Sequence, residues 1–500
     1  MRRILAVAMV FSAVAIVFIV AGAHTLDTWE RNDKSEAIPP VDDLQQLQQC
    51  INNGVKKICL TKNVEISSPI FVTSDLTIVS ETDVVMKRSM DFLGEMFIIG
   101  EGQDGNKAIY DGKVPKLTLG DAKMIGSITI DGNSDVSAMG SVFLIVSSGQ
   151  LVMNDNVTVQ NANKVGNERL LDSRYITSSP ENIGGAAVDI ISGAFIMNGG
   201  VIKDCKAVMN TSQSYMGGAI YNYGDFHMYG GKLSNNEANR GAAVYNYKTV
   251  HIYKGTIDNN YAKTYGAAIC CANSQYVKVF IGEEGAGQDT VVIESNKSSG
   301  AGCVLYSKQK CSLAIYGGTT ICDNESESHG GAIYTAGDVY IKDTVFKNNR
   351  CGSQGGAIQL HSVTDFTPRE VVISNSSFIS NESKNGGAIY SATEGPVRIL
   401  NCSFAHNHAS SNGGTIWASG TVDMTVDNVF ATSNQCTGKG GFLYVDGSTT
   451  KITLSSGTIK NNSADSGEFI YGKNANSTVI IGHSLTYSGT KTGSYNEVIE

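Results

Sequence analysis

Proline is nearly absent from this chain, at 7 of 500 residues, and tryptophan occurs twice. No helical period of useful length interrupts the sequence from residue 55 onward, which excludes bundles and α/β layers. No basic stripe interleaved with arginine and aromatics occurs, and the net charge is −9 with a pI near 5.5, so nucleic acid is excluded as the expected partner. After Gly22 no apolar run is long enough to span a bilayer. Gly-His-Gly and Arg-x-Lys are missing too, and the Asp-Asp pair at Asp42-Asp43 falls ahead of the repeats, so the usual constellations of polysaccharide lyases and hydrolases are not found.

What is present is glycine, 55 residues of it, arranged in a repeat. Gly-Gly-Ala-Ile occurs strictly at Gly217–Ile220, Gly330–Ile333, Gly355–Ile358 and Gly386–Ile389. Looser copies begin at Gly184, Gly241, Gly266, Ala301, Gly413, Gly440 and Ser466, and successive starts lie 24 to 35 residues apart. A period in this range predicts a stacked array. A second phrase, an apolar residue followed three positions later by Asn, is strict at Phe346–Asn349, Phe378–Asn381 and Phe404–Asn407. Looser forms end at Asn236, Asn260, Asn296, Asn324 and Asn462, and one copy, Phe430 to Asn434, carries an extra residue. Between the two phrases lies a segment of period two, as in Phe226-His227-Met228-Tyr229 and Val250-His251-Ile252-Tyr253. Such alternation is a strand with one buried face.

Three short strands of this kind cannot bury their apolar faces alone. Stacked at about 4.8 Å they can, each strand pairing with its copy in the next coil. The expected fold is therefore all-β: a single-stranded right-handed parallel β-helix with three short strands per coil. The glycine pair supplies positive φ or close backbone approach at a corner. Asn236, Asn260, Asn324, Asn349, Asn381 and Asn407 are expected at a matching bend, in left-handed conformation, as an amide ladder.

Together the two phrases resemble the Gly-Gly-Ala-Ile and Phe-x-x-Asn repeats of the chlamydial polymorphic outer-membrane protein family. The resemblance spans roughly residues 180 to 475. It implies a surface β-helix of the adhesin type, whereas nothing after Ser466 carries the alternating ten-residue segments of a membrane barrel.

The ends add a layout. Met1-Arg2-Arg3 followed by the apolar Ile4–Gly22 reads as a signal peptide over 1–23 or an uncleaved anchor, which would tie the chain to a membrane. Residues 24–40 read as a linker, 41–183 as a capping helix with irregular coils, and 184–500 as the regular array. Leu44, Leu47, Cys50 and Ile51 share one face of that helix, which would cover the open edge of the first coil. Early strands are expected near Lys57–Leu60, Ile66–Val72, Leu76–Val79, Met96–Ile99, Leu117–Leu119, Ile128–Ile130, Val142–Val146 and Leu151–Met153, with a loop insertion over Arg169–Asn182.

The eleven cysteines match no zinc template and read as small buried residues. No metal or cofactor is expected. Asp131-Gly132-Asn133 reads as a turn, and Asp338, Asp343, Asp423 and Asp427 as strand ends. Nine Asn-x-Ser/Thr sequons occur, of which Asn324 and Asn381 are ladder residues and are expected to stay unmodified.

Two aromatic columns are the candidate binding residues. Tyr229, Tyr253, Phe280 and Tyr316 line up on the outward side of the middle strand, and Tyr221, Tyr245, Tyr334, Tyr390, Trp417 and Tyr444 line up just after the glycine phrase. Exposed, they would form a ribbon for a glycan or a cell-surface protein. The expected function is binding, in adhesion, by an exported protein at the cell surface or outside it. A carbohydrate-active enzyme with an unusual site and a structural coat component are the alternatives.

Overall fold

The computed structural model describes residues 38–100, 114–166, 183–208, 215–273, 277–308, 311–363 and 370–500. The expected signal segment and the Arg169–Asn182 insertion lie outside them. Among the described residues no helix is long and apolar enough to cross a membrane. The residues from Pro39 to Glu500 form one compact unit.

That unit is a right-handed parallel β-helix. Every strand pairing among the described residues is parallel, and each strand pairs with its counterpart one coil away. The Gly-Gly-Ala-Ile phrases make a 15-stranded sheet in which Ile220, Val244, Ile269, Leu305, Ile333, Ile358, Ile389, Ile416, Leu443 and Ile470 stand one above another. The alternating segment and the Phe-type phrase belong to one 30-stranded sheet that turns a corner, so most coils give it two strands. In the coil Lys451–Lys460 the two merge into a single ten-residue strand. A further short segment follows each ladder asparagine, such as Glu237–Arg240, and builds a third sheet of 12 strands. Its apolar signal is a single small residue per coil, too little to read as a strand from sequence.

The core is a set of continuous stacks. Leu233, Ile257, Ile293, Ile321, Phe346, Phe378 and Phe404 lie in one inner column, all fully buried. Phe346, Phe378 and Phe404 stack ring on ring with centroids 4.9 Å apart. The coil repeat and the preferred aromatic separation coincide, so one spacing satisfies both.

The two corner glycines serve different needs. The first of each strict phrase has positive φ: 73° at Gly217, 59° at Gly330, 70° at Gly355 and 67° at Gly386. The second lies hard against the next coil, and a Cβ on Gly331, Gly356 or Gly387 would meet the backbone carbonyl of Gly356, Gly387 or Gly414. The alanine that follows is fully buried at Ala219, Ala332, Ala357 and Ala388.

The cap is the helix α1, Leu44–Asn52. The Asp43 side chain accepts a hydrogen bond from the Gln46 N–H and so caps its start. Leu47 is buried, and Leu44, Cys50 and Ile51 pack against the core. Pro40, read as linker, instead joins Val41 in a two-residue strand paired with Cys59 and Leu60. The strand expected over Ile66–Val72 is two strands, Val64–Ile66 and Ile70–Val72, on different sheets, because Pro69 breaks the run at a corner.

Candidate functional site

The asparagine ladder runs through nine coils rather than six positions. Each Nδ2 donates to the Oδ1 one coil on: Asn236 to Asn260, then Asn296, Asn324, Asn349, Asn381, Asn407, Asn434 and Asn462, at 2.9–3.1 Å. From Asn260 on, each Oδ1 also accepts the backbone N–H of the previous asparagine, as Asn381 does from Asn349 at 3.0 Å, and Asn236 Oδ1 accepts that of Cys205 at 3.1 Å. Left-handed conformation, expected at the ladder itself, belongs to the residue before it: Asn235, Asn259, Ser295, Asp323, Asn348, Ser380, His406, Ser433 and Asn461, with φ of 52–58°. The bend turns one residue early, which frees the asparagine to point inward.

The same burial sorts the sequons. Asn296, Asn324 and Asn381 are closed inside the ladder, whereas Asn156, Asn375, Asn401, Asn461 and Asn476 are exposed. Asn210 lies outside the described residues.

The aromatic columns differ from their expected form. In the middle strand Tyr229 stacks on Tyr253 at 4.6 Å, but Phe280 pairs with His251, not Tyr253. The strand is shifted by two residues, and a shift of two keeps every side chain on its own face, so alternation could not reveal it. His227, His251 and Phe280 form a second stack, with centroids 4.9 and 4.5 Å apart. Tyr316 lies farther along, tilted against Tyr340. Of these, Tyr229 is 47% exposed and Tyr253 and Tyr316 are half-buried. Stacking closes one face of Tyr229 against Tyr253 and both faces of His251 against His227 and Phe280.

The column after the glycine phrase is packing rather than an exposed ribbon. Tyr221, Tyr245, Tyr334, Tyr390 and Tyr444 are buried, and only Trp417 is half-open. Tyr306, missed because its phrase reads Ala-Gly-Cys-Val, and Tyr471 complete the column. Tyr223, Tyr247 and Tyr265 fold over its upper part. Burial pushes the Tyr334 and Tyr444 hydroxyls up to about 12, so they stay neutral.

Polar groups near the N-terminal end are engaged in structure. Asp131 accepts from the Asn133 N–H at 2.8 Å, Gln160 at 3.0 Å and Asn161 at 2.9 Å, which locks its turn. Arg88, fully buried, donates to the carbonyl oxygens of Phe92, Gly94, Gly140 and Ser141, and burial lowers its pKa to about 10. Lys164 donates to Ser141 Oγ at 2.9 Å and the Gly184 carbonyl at 2.5 Å, with Asp189 Oδ2 at 3.5 Å. Asp338 and Asp427 are half-buried and Asp343 and Asp423 exposed at strand ends. Among the described residues one group of potential metal ligands converges, Glu294, Cys322 and Asp323, at the outer end of neighbouring coils. All eleven cysteines are free thiols and nine are buried.

One surface groove is not explained by packing. It has a volume of about 310 Å³ and runs across four coils, over Asn375, Ser377, Asn401, Ser403, Asn428, Phe430 and Thr458. On one side three exposed asparagines form an outer ladder: Asn401 Nδ2 donates to Asn375 Oδ1 at 3.1 Å, and Asn428 Nδ2 to Asn401 Oδ1 at 2.9 Å. Beside it stand Ser377, Ser403, Phe430 and Thr458 in register, with the two serine hydroxyls 2.9 Å apart. By spacing alone Phe430 is the inner residue of a lengthened Phe-x-x-Asn phrase. The register gives that place to Ala431, directly above Phe404, and turns Phe430 outward, 48% exposed.

No curated protein and no solved structure matches the chain at a significant level. The family model for the Chlamydia polymorphic membrane protein repeat matches at 318–336, 343–360 and 375–392. Each stretch contains one strict Gly-Gly-Ala-Ile, and the last two also contain a strict Phe-x-x-Asn, so the match falls on the corner glycines, the inner stack and the buried ladder. The chain thus carries the Chlamydia polymorphic membrane protein repeat, wound as a parallel β-helix.

Proposed function

We propose that the protein is displayed at a cell surface or secreted and acts by binding, as an adhesin. The apolar Ile4–Gly22 after Met1-Arg2-Arg3 supports export. The polymorphic membrane protein repeat supports a surface location. The observation that carries the binding role is the groove over Asn375 to Thr458: it is open, it lies on outward columns that the fold does not need, and it presents an aromatic ring beside amides and hydroxyls. A solenoid suits this work because its inner columns hold the coil while its outer columns are free to vary.

The test is adhesion of the exported chain, residues 24–500, to cultured cells and to a glycan array, against an unrelated parallel β-helix of similar charge. Saturable binding above that control is expected. Binding no greater than the control removes the proposal.

A further inference from the structure

We propose that the groove across Asn375, Ser377, Asn401, Ser403, Asn428 and Phe430 binds a neutral glycan chain lying along the axis of the coil. This rests on the binding role above and names its ligand class and its site.

The first observation is Phe430. Inner phenylalanines of the same column, Phe346, Phe378 and Phe404, are fully buried, yet in this coil the inner place holds alanine and the ring stands outside. A lone exposed apolar residue is ordinary, but this one forms the wall of a groove. Its neighbours in register are Ser403 on one side and Thr458 on the other, and Ser377 lies one coil beyond Ser403. These small side chains leave the ring faces uncovered, unlike the His227–His251–Phe280 stack, where each ring closes the next at 4.5–4.9 Å. The apolar C–H face of a pyranose fits such an open ring, since the ring carries negative charge density on its face.

The second observation is the polar rail alongside. Asn375, Asn401 and Asn428 occupy left-handed turns with φ of 50°, 55° and 50°, which point their amides outward. The ladder takes one amide proton from each of Asn401 and Asn428 and leaves each a second donor. Ser377 and Ser403 add hydroxyls that both donate and accept. The rail repeats at the coil spacing of about 4.8 Å, so amide donors recur along the coil axis on the scale of one sugar unit.

The third observation is charge. No carboxylate and no cationic side chain lines the groove; its floor is Cys402 and Val429, both buried. A uronate, a sialylated chain or a phosphate would lose hydration there with no cation to replace it. A neutral chain loses only hydrogen bonds that amides and hydroxyls return. Gly457, with φ of 122°, sits where a Cβ would meet the Val429 carbonyl, so the floor keeps its depth only with glycine there.

The experiment uses residues 24–500 made without N-glycosylation, because Asn375 and Asn401 head exposed sequons. The probes are cellohexaose and chitohexaose as neutral chains and an oligogalacturonate as the charged one, titrated calorimetrically, alongside the cell-adhesion assay. Three variants are compared with wild type: Phe430→Ala, Asn401→Gly, which keeps the left-handed turn, and Ser403→Phe, which lays a second ring on the open face. The expected result is binding of a neutral hexaose that is insensitive to salt, and at least tenfold weaker in each variant with the far-ultraviolet spectrum and melting point unchanged. Wild type binding no neutral hexaose, binding the oligogalacturonate more tightly, or binding unchanged in Ser403→Phe would each overturn the proposal. If cells are still bound equally by wild type and all three variants, the adhesive role stands and this groove is not its site.

Discussion

Removing one rung of the buried asparagine ladder should cost far more than removing one rung of the exposed ladder, although both are amide–amide chains of the same spacing. Asn381→Ala deletes four hydrogen bonds: from the Asn349 N–H and the Asn349 amide to Oδ1, and from Nδ2 to the Phe346 carbonyl and to Asn407. The Asn349 N–H is then buried without a partner. Leaving buried donors unpaired costs about 1–3 kcal/mol per group, so about 2–5 kcal/mol is expected here. Asn401→Gly deletes the bonds to Asn375 and Asn428 in water and keeps the turn, so under about 0.5 kcal/mol is expected. Stability in a solenoid is a sum over coils, and a single global unfolding energy is the wrong readout. Native-state hydrogen exchange at the backbone amides of Asn349, Glu382 and His408 reads the local value. A loss of 2 kcal/mol speeds exchange about thirtyfold, at tenfold per 1.4 kcal/mol. Equal exchange rates in the two variants would refute the claim that burial, not the amide chain as such, gives the ladder its strength.

Four further outcomes follow from the same geometry. Gly356→Ala drives a Cβ into the Gly387 carbonyl and should lower the melting temperature by several degrees, whereas Gly285→Ala, with open space around it but φ of 80°, should show only the smaller cost of its backbone. Arg350 stands between Glu325 and Glu382 on the third sheet, so Arg350→Glu places three like charges in adjacent coils and should destabilise, with the loss shrinking as salt is added. Cys271 and Cys311 have their sulfurs 3.7 Å apart inside the core, where the Cys311 contact and burial hold the Cys271 thiol well above its usual range, so folded protein treated with an excess of a small disulfide should keep both as free thiols; a Cys271–Cys311 peptide by mass mapping would count against that burial. His227 and His251 are held below the usual imidazole range by burial first, His251 at about 4 with His227 also opposing its charge. The unfolded chain therefore takes up protons first, and the contribution of these two imidazoles to stability should fall as pH drops from about 6.5 towards about 4. His251→Gln should flatten that slope in pH-dependent melting.

Most of the fold could be read because its signals repeat and agree. Glycine pairs, inner aliphatic residues and ladder asparagines recur at one period, and each recurrence tests the others. Register could not be read so well. Alternation sets Phe280 beside Tyr253 as readily as beside its partner His251, two residues away, and only the pairing of backbones distinguishes the two alignments. The third sheet left a trace of one small residue per coil, Ala238, Ala262 or Ser298, which composition cannot separate from a loop. Burial of the tyrosine column was also hidden, since an aromatic on the outer face of a strand reads the same whether neighbouring side chains cover it or not. Tyr223 and Tyr247, two residues after Tyr221 and Tyr245, decide that question, and their position was visible only in space.

The exception to the repeat is therefore the place where function can be sought. An inner position must be small or apolar at a fixed spacing, and a ladder position must be asparagine, so both are spent on holding the coil. The coil at Val429–Thr432 obeys these rules with alanine inside and then sets a phenylalanine outside, where nothing in the stacking requires it. The spacing of Phe430 and Asn434 hides this departure, and the strand register shows it. In a repeat protein a residue that departs from its column without repairing a neighbour has either drifted or been kept for a contact beyond the chain. Asn401→Gly and Ser403→Phe separate these, because both leave the inner columns untouched and alter only what the groove presents.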